Sequence, residues 1–153
     1  MLTRQAGNMN TLKLLPLFAA AAVTGLTLTG CSSVIDKIQP EKAHEFASTQ
    51  DLARDWNQTA DWLPADSTQI KIREASTGGP AILATTTDDD LDPAQCVETE
   101  RQSAPTYSDD WSPTDVYVDH VFACGNWAVI KTDGGWYGWT PNDPDEKAAS
   151  PAQ

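Results

Sequence analysis

Residues 127–140 read Trp127-Ala128-Val129-Ile130-Lys131-Thr132-Asp133-Gly134-Gly135-Trp136-Tyr137-Gly138-Trp139-Thr140. Asp133-Gly134 is one of the strongest short signals for a two-residue hairpin turn, and aromatic and β-branched residues flank it on both sides. Such a turn sets Lys131 opposite Trp136, Ile130 opposite Tyr137, Val129 opposite Gly138 and Ala128 opposite Trp139. Because side chains alternate along a strand, one face carries Trp127, Val129 and Trp136 around the bare Gly138. The other carries Ala128, Ile130, Tyr137 and Trp139. Both faces are apolar, and one helical layer can cover only one of them. Either the irregular segment 102–113 covers the second face and the tryptophans are core, or a tryptophan platform stands exposed. A platform would suit stacking on sugar rings or receiving a partner's side chain. Trp127, Trp136 and Trp139, with Trp111 from the irregular segment, are its candidate ligand-binding residues.

Outward from the hairpin the period of two continues. Val116 to Cys124 reads as a strand with Val116, Val118, His120 and Phe122 on one face. Gln69–Glu74 and Ala81–Thr86 are strand-like runs joined by the turn-rich Ser76-Thr77-Gly78-Gly79-Pro80. Between Pro40 and Leu63 the spacing changes: Phe46, Ala53, Trp56, Ala60 and Leu63 fall on one helical stripe. This predicts one long helix from Pro40 or two short ones, the second starting at Ser48, where Ser48-x-x-Asp51 reads as a capping box. Pro64 ends the pattern. The expected fold class is α+β, with one or two N-terminal helices packed on an antiparallel sheet of about five strands. A single domain spans 41–141, and the polar, Pro-containing stretch 142–153 is expected to be a disordered tail.

The first thirty residues follow different rules. Arg4 and Lys13 are the only charges before Cys31, and Leu14 to Leu28 is apolar or small. That is the basic region and short apolar region of a secretory signal peptide. A spanning helix needs about 20 predominantly apolar residues, and Pro16, Thr24, Gly25 and Thr27 interrupt this shorter run. The stretch closes on Leu28-Thr29-Gly30-Cys31, which resembles the lipobox of bacterial lipoproteins. The resemblance is confined to the leader. It implies cleavage after Gly30 and a diacylglycerol on the Cys31 thiol; the alternative is an ordinary secretory signal with a chance cysteine. Residues 1–30 are then the signal peptide and 31–40 a lipidated tether. Two acyl chains suffice for stable anchoring. The nine residues from Ser32 to Pro40 reach at most ~30 Å, so the domain is expected on the extracytoplasmic face of the cell membrane.

Removing Arg4 and Lys13 leaves eight basic residues against 22 acidic ones, a mature net charge of −14. Nucleic acid is excluded as a partner, since phosphate binding needs a basic patch. The charge also repels anionic head groups, so the lipid must do the anchoring. Of three cysteines, Cys31 is committed to lipid. An exported chain makes a Cys96–Cys124 disulfide the default for the other two, over free thiols or a metal pair.

The motifs of chemistry are sparse. Asp88-Asp89-Asp90-Leu91-Asp92 resembles a calcium loop only in charge: Pro93 stands where glycine is needed and Thr99 where the bidentate glutamate belongs. His44-Glu45 opens a zinc-protease motif, but its second histidine position holds Ser48. Asp119 and His120 point to opposite sides of a strand. No metal site and no cofactor is expected. The first functional expectation is a non-enzymatic, membrane-anchored binding module for an envelope glycan or protein. The alternatives are an envelope hydrolase acting through acidic residues, and a purely structural lipoprotein.

Overall fold

A computed structural model describes residues 40–151. The signal peptide, Cys31 and the tether up to Gln39 lie outside the described residues. Seven strands make one antiparallel sheet: β1 (Glu41–Ser48), β2 (Thr68–Ala75), β3 (Ala81–Thr86), β4 (Val97–Glu100), β5 (His120–Cys124), β6 (Trp127–Thr132) and β7 (Gly135–Thr140). Their order is β1-β2-β3-β7-β6-β5-β4, which places the aromatic hairpin β6–β7 in the middle. Two short helices accompany them, α1 (Thr49–Asp55) and α2 (Pro144–Ala149). The protein is therefore mainly β, and the expected α+β arrangement of helices packed on a five-stranded sheet is corrected.

The central hairpin has the anticipated register, with Lys131 opposite Trp136 and Ala128 opposite Trp139. Each face has its own core. On the first face Trp127, Val129 and Trp136 join Ile70, Ile72 and Leu83 under Leu52, Trp56 and Trp62. On the second, Ala128, Ile130, Tyr137 and Trp139 join Ile82 and Val121, and Tyr107, Trp111, Val116 and Val118 pack against them from segment 101–119. Gly138 lets the first core close. A Cβ there would meet Trp62 Cζ2 at 2.8 Å and Trp127 Cε3 and Val129 Cγ2 at 3.3 Å. The large indole of Trp62 thus rests on bare backbone in the middle of the sheet.

Three expected elements change. Residues 41–48 form an edge strand, not a helix, because His44, Phe46 and Ser48 turn inward on a period of two and Phe46 pairs with Ile70. Phe46, Trp56, Ala60 and Leu63 do face one core, so their spacing mimicked a helical stripe while the chain passed through strand, helix and loop. Long-range pairing outweighed local periodicity here. Only the start at Ser48 survives, where its Oγ accepts from Asp51 N at 3.2 Å. The strand expected from Val116 begins at His120, since Val116 and Val118 serve the second-face core. The tail expected to be disordered contains α2, capped by Asp143, because Glu146 is drawn into the protein by donors from another segment.

The expected disulfide is present: Cys96 and Cys124 are joined with Cα atoms 4.4 Å apart. Register also sorts the sheet into two ends. Glu41 lies beside Ala75, Ala81 beside Thr140, and Cys124 beside Trp127, and Ser76 N donates to Pro40 O at 2.7 Å. Pro40, the 76–80 link, the Gly125-Asn126 turn and Thr140 thus share one end. Ser48, Thr68, Thr86 and the Asp133-Gly134 turn share the other.

Candidate functional site

At the Pro40 end of the first face lies a cleft of about 510 Å³, within the size range of small-ligand sites. One wall is the loop Asn57–Asp61 that follows α1, and the other comprises Gln95 and the β5–β6 turn at Gly125-Asn126. Trp62, Trp127 and the disulfide residue Cys124 lie between them. A second, more apolar hollow of about 340 Å³ shares the Asn57–Asp61 wall and extends over Leu52, Ala53 and Leu63.

The cleft is built from braced parts. Gly125 has φ +61°, the conformation a tight turn demands there. Asn142 fixes this turn from below: its Nδ2 donates to Gly125 O and Trp127 O, each at 3.1 Å, and its backbone N donates to Asn126 O at 3.0 Å. Gly125 N donates to Ser150 Oγ at 2.6 Å, and that hydroxyl donates to Gln95 O at 3.3 Å. On the opposite wall Trp127 Nε1 donates to Thr59 O at 3.1 Å. The C-terminal segment thus holds the floor of the cleft.

Glu146 holds that segment in turn. Its Oε1 accepts from Gln102 N at 2.5 Å and Ser103 N at 2.8 Å, and its Oε2 accepts from Ser103 Oγ at 2.6 Å and Asp143 N at 3.1 Å. A buried carboxylate so supplied is satisfied and serves as a clamp. Glu74, also buried, plays the same part behind the loop wall. It accepts from Trp56 Nε1 at 3.1 Å and from Gln58, while His44 Nε2 lies 2.9 Å from its other oxygen.

The chemistry of the lining is amide and hydroxyl. Among the described residues, the side chains of Asn57, Thr59, Asp61, Gln95 and Asn126 make no hydrogen bond within the chain. Asp61 is the one charged residue of the lining, in a protein with 22 acidic residues. The cleft can therefore offer several neutral donors and acceptors beside two indole rings, and one carboxylate.

The hairpin tryptophans are core. Trp127, Trp136 and Trp139 are 5%, 3% and 1% exposed, so they form no exposed platform. Their N–H groups are occupied: Trp136 donates to Asp89 O at 3.0 Å and Trp139 to Ser103 Oγ at 2.8 Å. Covering both faces was the reading that made them core, and the cover proves to be loops more than helix. Only Trp127 reaches the cleft. Trp111 is half-buried, 6.2 Å from the ring of Tyr137, and lines a separate hollow of about 510 Å³ with Lys131, Asp115 and Asp133. The residues that sequence reasoning missed are Asn57, Gln58, Thr59, Gln95 and Asn126. Their only signal is polarity next to Trp, which loops share generally.

Among the described residues no three His, Cys, Asp or Glu side chains are grouped to hold a metal ion. The Asp88–Asp92 run instead pairs Asp90 with Lys131 at 2.9 Å and buries Leu91. No described helix is long and apolar enough to cross a membrane. On the second face Arg73 bonds Asp109 at 2.6 Å and Glu41 at 2.9 Å; the Arg73 hydrogen bond holds the Asp109 carboxyl below the usual range. Burial pushes the Tyr137 phenol up. No protein-family description matches this chain, and neither the curated proteins nor the solved structures contain a match.

Proposed function

We propose that this chain is a lipoprotein, anchored through Cys31 on the extracytoplasmic face of the membrane, whose domain binds a neutral, hydroxyl- and amide-bearing ligand such as an envelope glycan. The observation that carries this reading is the cleft: amides and hydroxyls with free hydrogen-bonding capacity, indole edges and a single acid, in an otherwise strongly acidic protein. Amide side chains pair with sugar hydroxyls and acetamido groups in both donor and acceptor senses. Aromatic surface next to a few fixed polar groups is the usual make-up of a small-molecule site. The lipobox Leu28-Thr29-Gly30-Cys31 supports the anchor.

Binding is favoured over hydrolysis by the same lining. Glycoside hydrolysis of the common kind uses two carboxyl groups flanking the bond, and Asp61 stands alone. Glu74 is buried and already saturated with donors.

The test is calorimetric titration of the Cys31→Ser chain with neutral oligosaccharides, N-acetylated and plain. Gln95→Ala with Asn126→Ala removes two neutral hydrogen-bonding groups, each worth about 0.5–1.5 kcal/mol. The expected loss is about 5- to 150-fold in affinity. Titration with no heat from any neutral saccharide, or binding unchanged in the double variant, would remove the cleft from consideration.

A further inference from the structure

We infer that the cleft opens toward the membrane and takes the neutral glycan headgroup of a membrane lipid. This rests on the cleft-binding reading and on lipidation at Cys31. Strand register supports that orientation. Pro40, where the tether enters the domain, lies at the same end of the sheet as Thr140 and the Gly125-Asn126 wall of the cleft. The tether of nine residues reaches at most ~30 Å. β1 has eight residues and spans about 26 Å at ~3.3 Å per residue. Turning the opposite end to the bilayer would consume nearly the whole reach of the tether and fix it fully extended. Turning the Pro40 end down needs almost none of it.

Acidic side chains stand at both ends of the sheet, exposed Asp88, Asp89, Asp90 and Asp133 away from Pro40 and exposed Glu41 and Asp61 on the Pro40 side. The reach of the tether, and not charge, therefore sets the orientation. The lining itself names the headgroup class. It contains no lysine or arginine, and Asp61 opposes an anion, so phosphate-bearing headgroups are disfavoured and an uncharged sugar fits the amides.

The experiment is vesicle flotation of residues 31–153 carrying Cys31→Ser, which lack both the lipid and the apolar signal segment and so report the cleft alone. Vesicles are phosphatidylcholine, phosphatidylcholine with a neutral diglycosyl diacylglycerol, and phosphatidylcholine with phosphatidylglycerol. The free disaccharide of the glycolipid is titrated in parallel. The inference predicts flotation with glycolipid vesicles only, competition by the free disaccharide, and at least a tenfold loss in Asn126→Trp, which fills the cleft from an exposed turn position. Normal melting of that variant separates occlusion from misfolding. Binding of the free disaccharide without flotation would overturn the membrane-facing inference and leave the cleft reading intact. Flotation with anionic vesicles, or flotation that survives Asn126→Trp, would overturn it as well. Binding of neither sugar form would overturn both.

Discussion

Gly138→Ala tests the central packing of the sheet. Gly138 is not among the glycines with positive φ, so alanine is compatible with its backbone. A glycine inside a strand costs conformational entropy, and alanine at an unobstructed position would stabilise the fold by about 0.4–1 kcal/mol. Here the added Cβ would lie 2.8 Å from Trp62 Cζ2 and 3.3 Å from Trp127 Cε3 and Val129 Cγ2. Trp62 is 3% exposed and packed against Trp127, so relieving the contact means displacing a buried indole. Overpacking of this kind costs roughly 1–3 kcal/mol, so the net expectation is a loss of about 1–2 kcal/mol. For a domain of this size that is a fall in Tm of about 4–8 °C. The control is Trp62→Phe, which lacks Cζ2 and should lower the cost of Gly138→Ala to less than half. The assay is a set of thermal melts on the four members of that cycle. An unchanged or raised Tm for Gly138→Ala alone, or a full cost persisting beside Trp62→Phe, would refute the reasoning.

Glu146→Gln replaces a carboxylate that accepts from four donors with a group whose NH₂ must face one pair of them. A loss of about 3 kcal/mol is expected from charge-assisted bonds of this type, with hydrogen-exchange protection falling first in α2 and the Gly125-Asn126 turn. Reducing Cys96–Cys124, which are 28 residues apart, should cost about 3.5 kcal/mol in the chain-entropy treatment; denaturant melts with and without reductant measure it. Burial raises the Tyr137 phenol above its ordinary value of 10.0, so its contribution is complete below pH 10 and is lost as pH rises beyond it. Tyr137→Phe should flatten the alkaline fall in Tm. Asp109 is the opposite case: its carboxyl is depressed below 3.8, chiefly by the Arg73 hydrogen bond, so its contribution is present above pH 4 and disappears as pH drops further. Asp109→Asn should reduce the acid dependence of stability below pH 4.

The sequence made the hairpin legible because its information is local: a turn dipeptide fixes register, and register fixes faces. The two-sided core followed from the same residues. The helix expected over residues 40–63 failed because β1 exists only through its pairing with β2, from Glu41 opposite Ala75 to Ser48 opposite Thr68, and nothing inside Glu41–Ser48 records that partner. Ser48 was correct as a helix start, but Pro40, expected in a first helical turn, precedes an edge strand whose partner lies elsewhere. The tail misled for a related reason. Asp143-Pro144-Asp145-Glu146 reads as solvated, yet its capping box and Glu146's donors at Gln102 and Ser103 make it a structural clasp. The cleft was the least legible part. Asn57, Gln95 and Asn126 lie on three separated loops, and only the folded sheet brings them together at one end. The tryptophans were conspicuous and are largely filling.

Chemical-shift mapping of the isotopically labelled Cys31→Ser chain with a neutral oligosaccharide tests the binding account most directly. Saturable shifts are expected, confined to residues 57–61, Gln95, the Gly125–Trp127 turn and the Trp127 indole N–H, which donates to Thr59 O of the loop wall. Shifts centred on Trp111 and Lys131 at the separate hollow, or an unchanged spectrum at saturating sugar, would contradict it.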